Sequence, residues 1–200
     1  MRITTLISDL GGVLLDFDNR LYEERLVMCT GRPLEEVRTV LAEGLLEDLH
    51  LGRLNAEQFH RALGLRLGLS ISLPELRELY SDIFVPRQDT VDLLRDLAPR
   101  CRLCLLSNTN EIHWTWCRAK YPFLDLFSHH VLSHEVGAAK PDPAIYRRAL
   151  KVLGEEPSSC VFFDDVWVYA DTATALGLHG ITFHSAAQIE HDLARLGVTR

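Results

Sequence analysis

The stretch Ile3-Thr4-Thr5-Leu6-Ile7-Ser8-Asp9-Leu10-Gly11-Gly12 decides the fold. Ile3 to Ser8 is apolar and β-branched, and Asp9-Leu10-Gly11-Gly12 closes it, so the run reads as a strand entering a tight turn. Comparable runs recur at Arg102–Ser107, His130–Ser133, Cys160–Asp164 and Gly180–Phe183. Helix-period segments lie between them, at Thr90–Leu97, Asn110–Lys120, Asp142–Leu153 and Trp167–Leu176. Strand alternating with helix predicts an α/β fold, a parallel sheet with crossover helices on both faces. Ligands of such sheets bind outside the carboxyl ends of the strands.

From Asn19 to about Val85 the alternation stops and only helical signals remain. Pro33 suits the first turn of a helix over Leu34–Leu49. Asn55 followed by Gln58, and Ser72 followed by Glu75, are capping-box spacings that open two more helices. Leu63, Leu67, Leu76, Leu79 and Ile83 supply their buried stripes. The expected organisation is a core of residues 1–18 and 86–200 with an all-helical insertion, 19–85, emerging beside the carboxyl ends of the sheet.

Composition narrows the function classes. The 200 residues are 47% hydrophobic and 24% charged, ample for a buried core. A net charge of −7 argues against a nucleic-acid binder relying on bulk positive charge. No segment reaches membrane-span length, and the first residues lack signal-peptide features, so a cytoplasmic protein is expected, as monomer or homodimer. Cys29, Cys101, Cys104, Cys117 and Cys160 fit a reducing compartment and read as core thiols. Cys101 and Cys104 have CxxC spacing, but in a straight strand they face opposite sides and cannot share an ion.

Four polar clusters end the predicted strands: Asp9, Ser107-Asn108, Lys140-Pro141-Asp142 and Asp164-Asp165. Singly, they read as a turn residue, helix caps and a loop lysine. Asp164-Asp165 resists that reading, because adjacent carboxylates repel and a cation relieves the cost. Together, in this order, they place a carboxylate, a hydroxyl, an amine and a carboxylate pair around one pocket.

This constellation resembles the haloacid dehalogenase superfamily, most closely its phosphatases with a helical cap of the first type. Leu105 to Asn110 and Lys140 to Tyr146 look like bacterial sugar-phosphate phosphatases of the α-glucose-1-phosphate phosphatase type. The resemblance implies a Rossmann-like core with residues 19–85 as the cap, and a small phosphorylated metabolite as substrate. It implies that Asp9 attacks phosphorus to form an aspartyl phosphate, with Mg²⁺ on Asp9, the Gly11 carbonyl and Asp164, and with Asp165 either as a further ligand or just behind the ligands. Lys140 would neutralise Asp9 and the phosphoryl group, and Ser107 with the Asn108 backbone N–H would bind its oxygens. Phosphoryl transfer needs chiefly such positioning and charge stabilisation.

The sequence departs from that pattern twice. The phosphatases usually carry a second Asp two residues after the nucleophile, as proton donor and acceptor; here that position is Gly11. Either the leaving group needs little protonation, or another residue substitutes (Asp16, Asp18 or a cap residue such as His50), or the protein binds phosphate without turnover. A 2-haloacid dehalogenase would tolerate Gly11 but has no use for Asp164-Asp165 as a metal site. Tyr169 stands where relatives often have Asn. Glu47, His50 and Arg53 lie near an expected bend in the cap, as candidates for substrate selection. Trp114 and Trp116, with His113, read first as helix packing, and His129, His130 and His134 lack ligand-like spacing.

Overall fold

The computed structural model describes residues 2–200. Strand β1 (Thr5–Ser8) runs through the turn at Asp9–Gly12 into a short strand, β2 (Leu15–Phe17). Five helices follow: α1 (Asn19–Thr30), α2 (Leu34–Val40), α3 (Leu46–His50), α4 (Ala56–Leu67) and α5 (Leu73–Ser81). The chain returns through β3 (Phe84–Pro86), which pairs antiparallel with β2. The remainder alternates: α6 (Gln88–Leu97), β4 (Arg102–Ser107), α7 (Glu111–Lys120), β5 (His129–Leu132), α8 (Ser133–Val136), α9 (Pro143–Leu153), β6 (Cys160–Asp164), α10 (Trp167–Ala175), β7 (His179–Thr182) and α11 (Ala186–Arg195).

The main sheet has the order β5-β4-β1-β6-β7, and every adjacent pair is parallel. β1 is central, so both of its faces are covered and its residues are all buried. Alternation sorts side chains to two cores. Leu6, Leu103, Leu105, Val161 and Phe163 enter one, and Ile7, Cys104, Leu106 and Phe162 the other. Cys101 and Cys104 fall in opposite cores, as their spacing predicts. The order switches at β1, whose connection leads to β4 on one side while β6 lies on the other. The loops after β1, β4 and β6 therefore splay apart at one edge and leave a crevice.

The five helices between β2 and β3 share a third apolar cluster, built on Tyr22, Leu26, Leu49, Phe59, Leu63 and Tyr80. Both predicted capping boxes form, Asn55 with Gln58 and Ser72 with Glu75. The insertion is seated on α7: Tyr80 stacks on His113 with ring centroids 4.3 Å apart, and Ile112 joins its cluster.

Four features differ from expectation. The helix over Leu34–Leu49 is broken, because Glu43 leaves helical geometry and Gly44 adopts φ +85°, which glycine takes without a Cβ penalty. The segment to Val85 is not wholly helical: Phe84–Pro86 is a strand, too short to announce itself by period. Helix α11 lies beyond the predicted elements, and Ser185 caps it by accepting from the Gln188 N–H. Cys29 is exposed rather than a core thiol, whereas the other four cysteines are buried and free. Among the described residues, no helix is long and apolar enough to cross a membrane.

Candidate active site

The ends of two neighbouring strands, β1 and β6, and one loop deliver the charged residues. Asp9 leaves β1 with its N–H donating to the Phe163 carbonyl at 3.1 Å, which ties the turn to β6. Asp164 is the last residue of β6, and its Oδ1 accepts the Val166 N–H at 2.9 Å. Lys140 comes from the loop before α9. Its Nζ lies 2.8 Å from Asp9 Oδ1 and 2.5 Å from Asp164 Oδ2, and the Lys140 and Asp164 side chains are 0% exposed.

Asn108 fixes that loop. Its Nδ2 donates to the Lys140 carbonyl at 2.9 Å, and its Oδ1 accepts the Lys140 N–H at 2.8 Å. The sequence offers Asn108 as a helix cap or as a backbone N–H donor; Asn110 caps α7 instead, and the Asn108 side-chain clamp on Lys140 becomes visible once β4 and the loop are adjacent. The rings of Phe162 and Tyr169 stand 5.7 and 5.3 Å from Lys140 Nζ, so Tyr169 faces the ammonium that it helps to enclose. Ser107 ends β4, is buried, and lines the same crevice as Asn108.

Asp165 is placed over the turn after β1. A Cβ on Gly12, where φ is +74°, would come within 2.2 Å of Asp165 Oδ2, so only glycine allows this approach. Asp9, Asp164 and Asp165 then each offer an oxygen, all within 4.8 Å of one another. Burial and, secondarily, the Asp9 charge push the Asp164 carboxyl up to about 7, even though Lys140 opposes them. Asp165 is raised for the same two reasons, in the same order. Burial acts to lower Lys140, but Asp9 and Asp164 outweigh it and hold the ammonium above its ordinary range. The Lys140 ammonium thus pairs with two of three clustered carboxylates, while Asp165 feels only the more distant charges of Lys140 and Arg87. That hard oxygen donor set, short of positive charge, fits a Mg²⁺ ion.

Beside these residues is a cavity of about 230 Å³, walled by Gly11, Phe17, Tyr22, His50, Tyr80 and Asn108 among others. A Cβ on Gly11 would meet Phe17 Cε1 at 2.9 Å, so an aromatic ring borders the side-chain space of residue 11. Neither aspartate offered as a substitute is there. Asp16 is exposed and pairs with Arg87 at 3.2 Å, and Asp18 caps α1 and binds Arg20. Both point outward because β2 alternates and α1 needs a cap. Of Glu47, His50 and Arg53, only His50 lines the cavity; Arg53 pairs with Glu47 and Asp48 at the surface.

His113 also lines it, whereas Trp114 packs against His130 and Trp116 lies beside Lys120. Phe17, Tyr22 and Tyr80 carried no sequence signal for this role, since each also reads as an ordinary packing residue. Among the described residues, the histidines form no metal-holding group.

Residues 3–177 match the family model described as haloacid dehalogenase-like hydrolase. The chain belongs to that family of hydrolases. It is 29% identical to Phosphatase MT3486 of Mycobacterium tuberculosis over 98% of its own length and 96% of that protein's. It is 26% identical to the D-ribitol-5-phosphate phosphatase of Bacteroides thetaiotaomicron over 82% of this chain and 83% of the relative. A solved haloacid dehalogenase family enzyme from the same organism, in complex with magnesium and inorganic phosphate, superposes with a TM-score of 0.82 at 27% identity. That match covers 91% of this chain and 94% of the other.

Proposed function

We propose that this protein is a Mg²⁺-dependent phosphomonoesterase of the cytoplasm, acting on a small phosphorylated metabolite, with a sugar phosphate as the favoured class. Residues 1–18 and 86–200 form its catalytic core, and 19–85 its cap. The observation that carries the reading is the buried Lys140 ammonium shared by Asp9 and Asp164, with Asp165 completing a charge-deficient oxygen cluster. An isolated Asp–Lys pair would balance itself; three clustered carboxylates, with one ammonium on two of them, call for further positive charge.

Asp9 is the nucleophile, at the strand end next to the cavity-lining Leu10 and Gly11 and with 11% of its side chain exposed, whereas Asp164 is sealed. Its carboxylate attacks phosphorus, the ester oxygen departs, and water then releases phosphate from the aspartyl phosphate. Lys140 holds Asp9 and neutralises the phosphoryl oxygens, while the Ser107 hydroxyl and the Asn108 N–H donate to them. Mg²⁺ would be held by Asp9, the Gly11 carbonyl, Asp164 and Asp165, supplying charge that lets two anions meet. The aromatic walls Phe17, Tyr22 and Tyr80, with Asn19 and His50 between them, suit a ring with an apolar face and hydroxyl edges.

The absence of a carboxylate at Gly11 favours one competing reading, a protein that binds phosphate without turnover. Purified protein separates the two. Hydrolysis of aryl and sugar phosphates with Mg²⁺, abolished by chelator and by Asp9→Asn, is the expected outcome. Calorimetric binding of phosphate and Mg²⁺ with no release from a broad ester panel would leave only the binding reading.

A further inference from the structure

We infer that the His50 imidazole is the proton carrier of this site, serving the leaving group in place of a carboxylate at residue 11. The inference rests on the phosphatase reading above and supplies what that reading lacks. An alkyl phosphate expels a basic oxygen, and a positioned acid at that oxygen is worth about 10²–10⁴ in rate.

The lining of the cavity leaves few groups able to exchange a proton near neutrality. Burial, then Glu23, pushes the Tyr22 hydroxyl up to about 12, and burial drives Tyr80 well above its ordinary range. His113 is fully committed. Its Nε2–H donates to the Tyr80 carbonyl at 3.2 Å, and its Nδ1 accepts from Asn110 Nδ2 at 3.3 Å. That pattern defines the neutral tautomer, and burial holds its pKa down near 3. His134, behind the cavity, is tied through Nδ1–H to the Thr109 carbonyl at 3.1 Å.

His50 is different. Its main chain is clamped: the carbonyl accepts from Ser133 Oγ at 2.7 Å. Two residues on, Gly52 packs so closely on α8 that a Cβ there would come 2.0 Å from the His134 carbonyl oxygen. Among the described residues the imidazole itself has no hydrogen-bond partner, although it is half-buried and lines the cavity with Gly11 and Asn108. A fixed backbone carrying an unengaged ring is the arrangement a proton shuttle needs. His50 ends α3, where the helix carbonyls favour the imidazolium. Burial, then His134 on α8, pulls the other way and leaves the ring below its usual 6.5; His113 faces it from α7.

The proton balance closes. As Asp9 bonds to phosphorus and the P–O bond to the leaving group breaks, the departing oxygen takes the imidazolium proton, giving a free alcohol and neutral His50. Water then attacks the phosphorus of the aspartyl phosphate and surrenders a proton to His50. The P–O bond to Asp9 breaks, releasing hydrogen phosphate and restoring both the Asp9 carboxylate and the imidazolium.

The test compares kcat/KM for 4-nitrophenyl phosphate, whose leaving group needs little protonation, with that for an alkyl phosphate such as a hexose 6-phosphate. Both are measured with Mg²⁺, in wild type, His50→Gln, His50→Ala and Asp9→Asn. We expect the alkyl-to-aryl ratio to fall about 10²-fold or more in both His50 variants. Added imidazole should restore the alkyl activity of His50→Ala, and the alkaline decline of the wild-type alkyl profile should be absent from His50→Gln. A ratio that stays put in both variants, or no imidazole rescue in a His50→Ala protein that melts like wild type, would overturn the assignment. If Asp9→Asn removes both activities while the ratio is unmoved, the His50 role falls and the phosphatase reading stands. If wild type hydrolyses neither ester, both fall together.

Discussion

The Phe17 ring borders the side-chain space of Gly11: a Cβ built on that glycine approaches Phe17 Cε1 to 2.9 Å. The missing carboxylate and the aromatic wall are therefore one feature of the site. Phe17 is 48% exposed on the short strand β2, so the ring can swing outward if residue 11 acquires a side chain. Gly11→Ala should cost about 1 kcal/mol, at the low end of overpacking penalties, by urea denaturation. Gly11→Ala combined with Phe17→Ala should recover most of the loss caused by the clash.

Among the described residues, Lys140 is the only cation in contact with Asp9 and Asp164, and it is sealed from water. Lys140→Met leaves two like charges adjacent in a buried site. Removing one partner from a buried ion group typically costs about 3–5 kcal/mol. The metal-free variant should unfold correspondingly earlier in denaturant, and Mg²⁺ should raise its Tm by more than it raises that of wild type. Equal Mg²⁺ shifts in the two proteins would contradict a shared charge balance.

On the proposed function, Asp164 should set the pH dependence of Mg²⁺ binding. Its folded-state pKa is raised to about 7 from 3.8, by burial first and by Asp9 second. In the metal-free protein the protonated carboxyl favours the fold below about pH 4, and this contribution is lost as pH rises through 7. A cation must displace that proton, so Mg²⁺ affinity should climb between about pH 5 and 7 and then level off. Calorimetry in buffers of different ionisation enthalpy should show close to one proton released per ion at pH 6 and almost none at pH 8.5.

His113 acts with the opposite sign. Burial depresses its pKa to about 3, so its contribution is complete above the unfolded value near 6.5 and is lost progressively as pH falls toward 3. One such group steepens the loss by up to about 1.4 kcal/mol per pH unit. His113→Phe keeps the ring stack on Tyr80, so it should be less stable than wild type at pH 7.5, where the carbonyl of Tyr80 loses its donor. The gap should narrow on acidification, as read from denaturant midpoints at pH 7.5, 6 and 5.

Much of the fold was legible in the sequence because β1, β4 and β6 are buried on both faces. Such strands must be continuous apolar runs, and their polar termini stand out against them. That contrast is why Asp9, Ser107, Asp164 and Asp165 stand out as strand-end groups, although it is their combination, and not any one of them, that points to a site. The breaks at Glu43-Gly44 and the strand Phe84–Pro86 were not legible: a bend inside a helical period and a three-residue strand leave too few residues to show a pattern. The outward direction of Asp16 and Asp18 was equally hidden, since it depends on partners, Arg87 and Arg20, that claim them in the folded chain.

Sequence alone determined which chemical groups end the strands, because strand order along the chain and apolar patterning are local properties. Only the tertiary structure decided that Asn108 clamps the Lys140 main chain, that Gly12 admits Asp165, that Phe17 crowds Gly11 and that His50 keeps an unengaged ring. Each joins residues from different elements across distances set by close packing, and the period of a single segment carries no record of its neighbours.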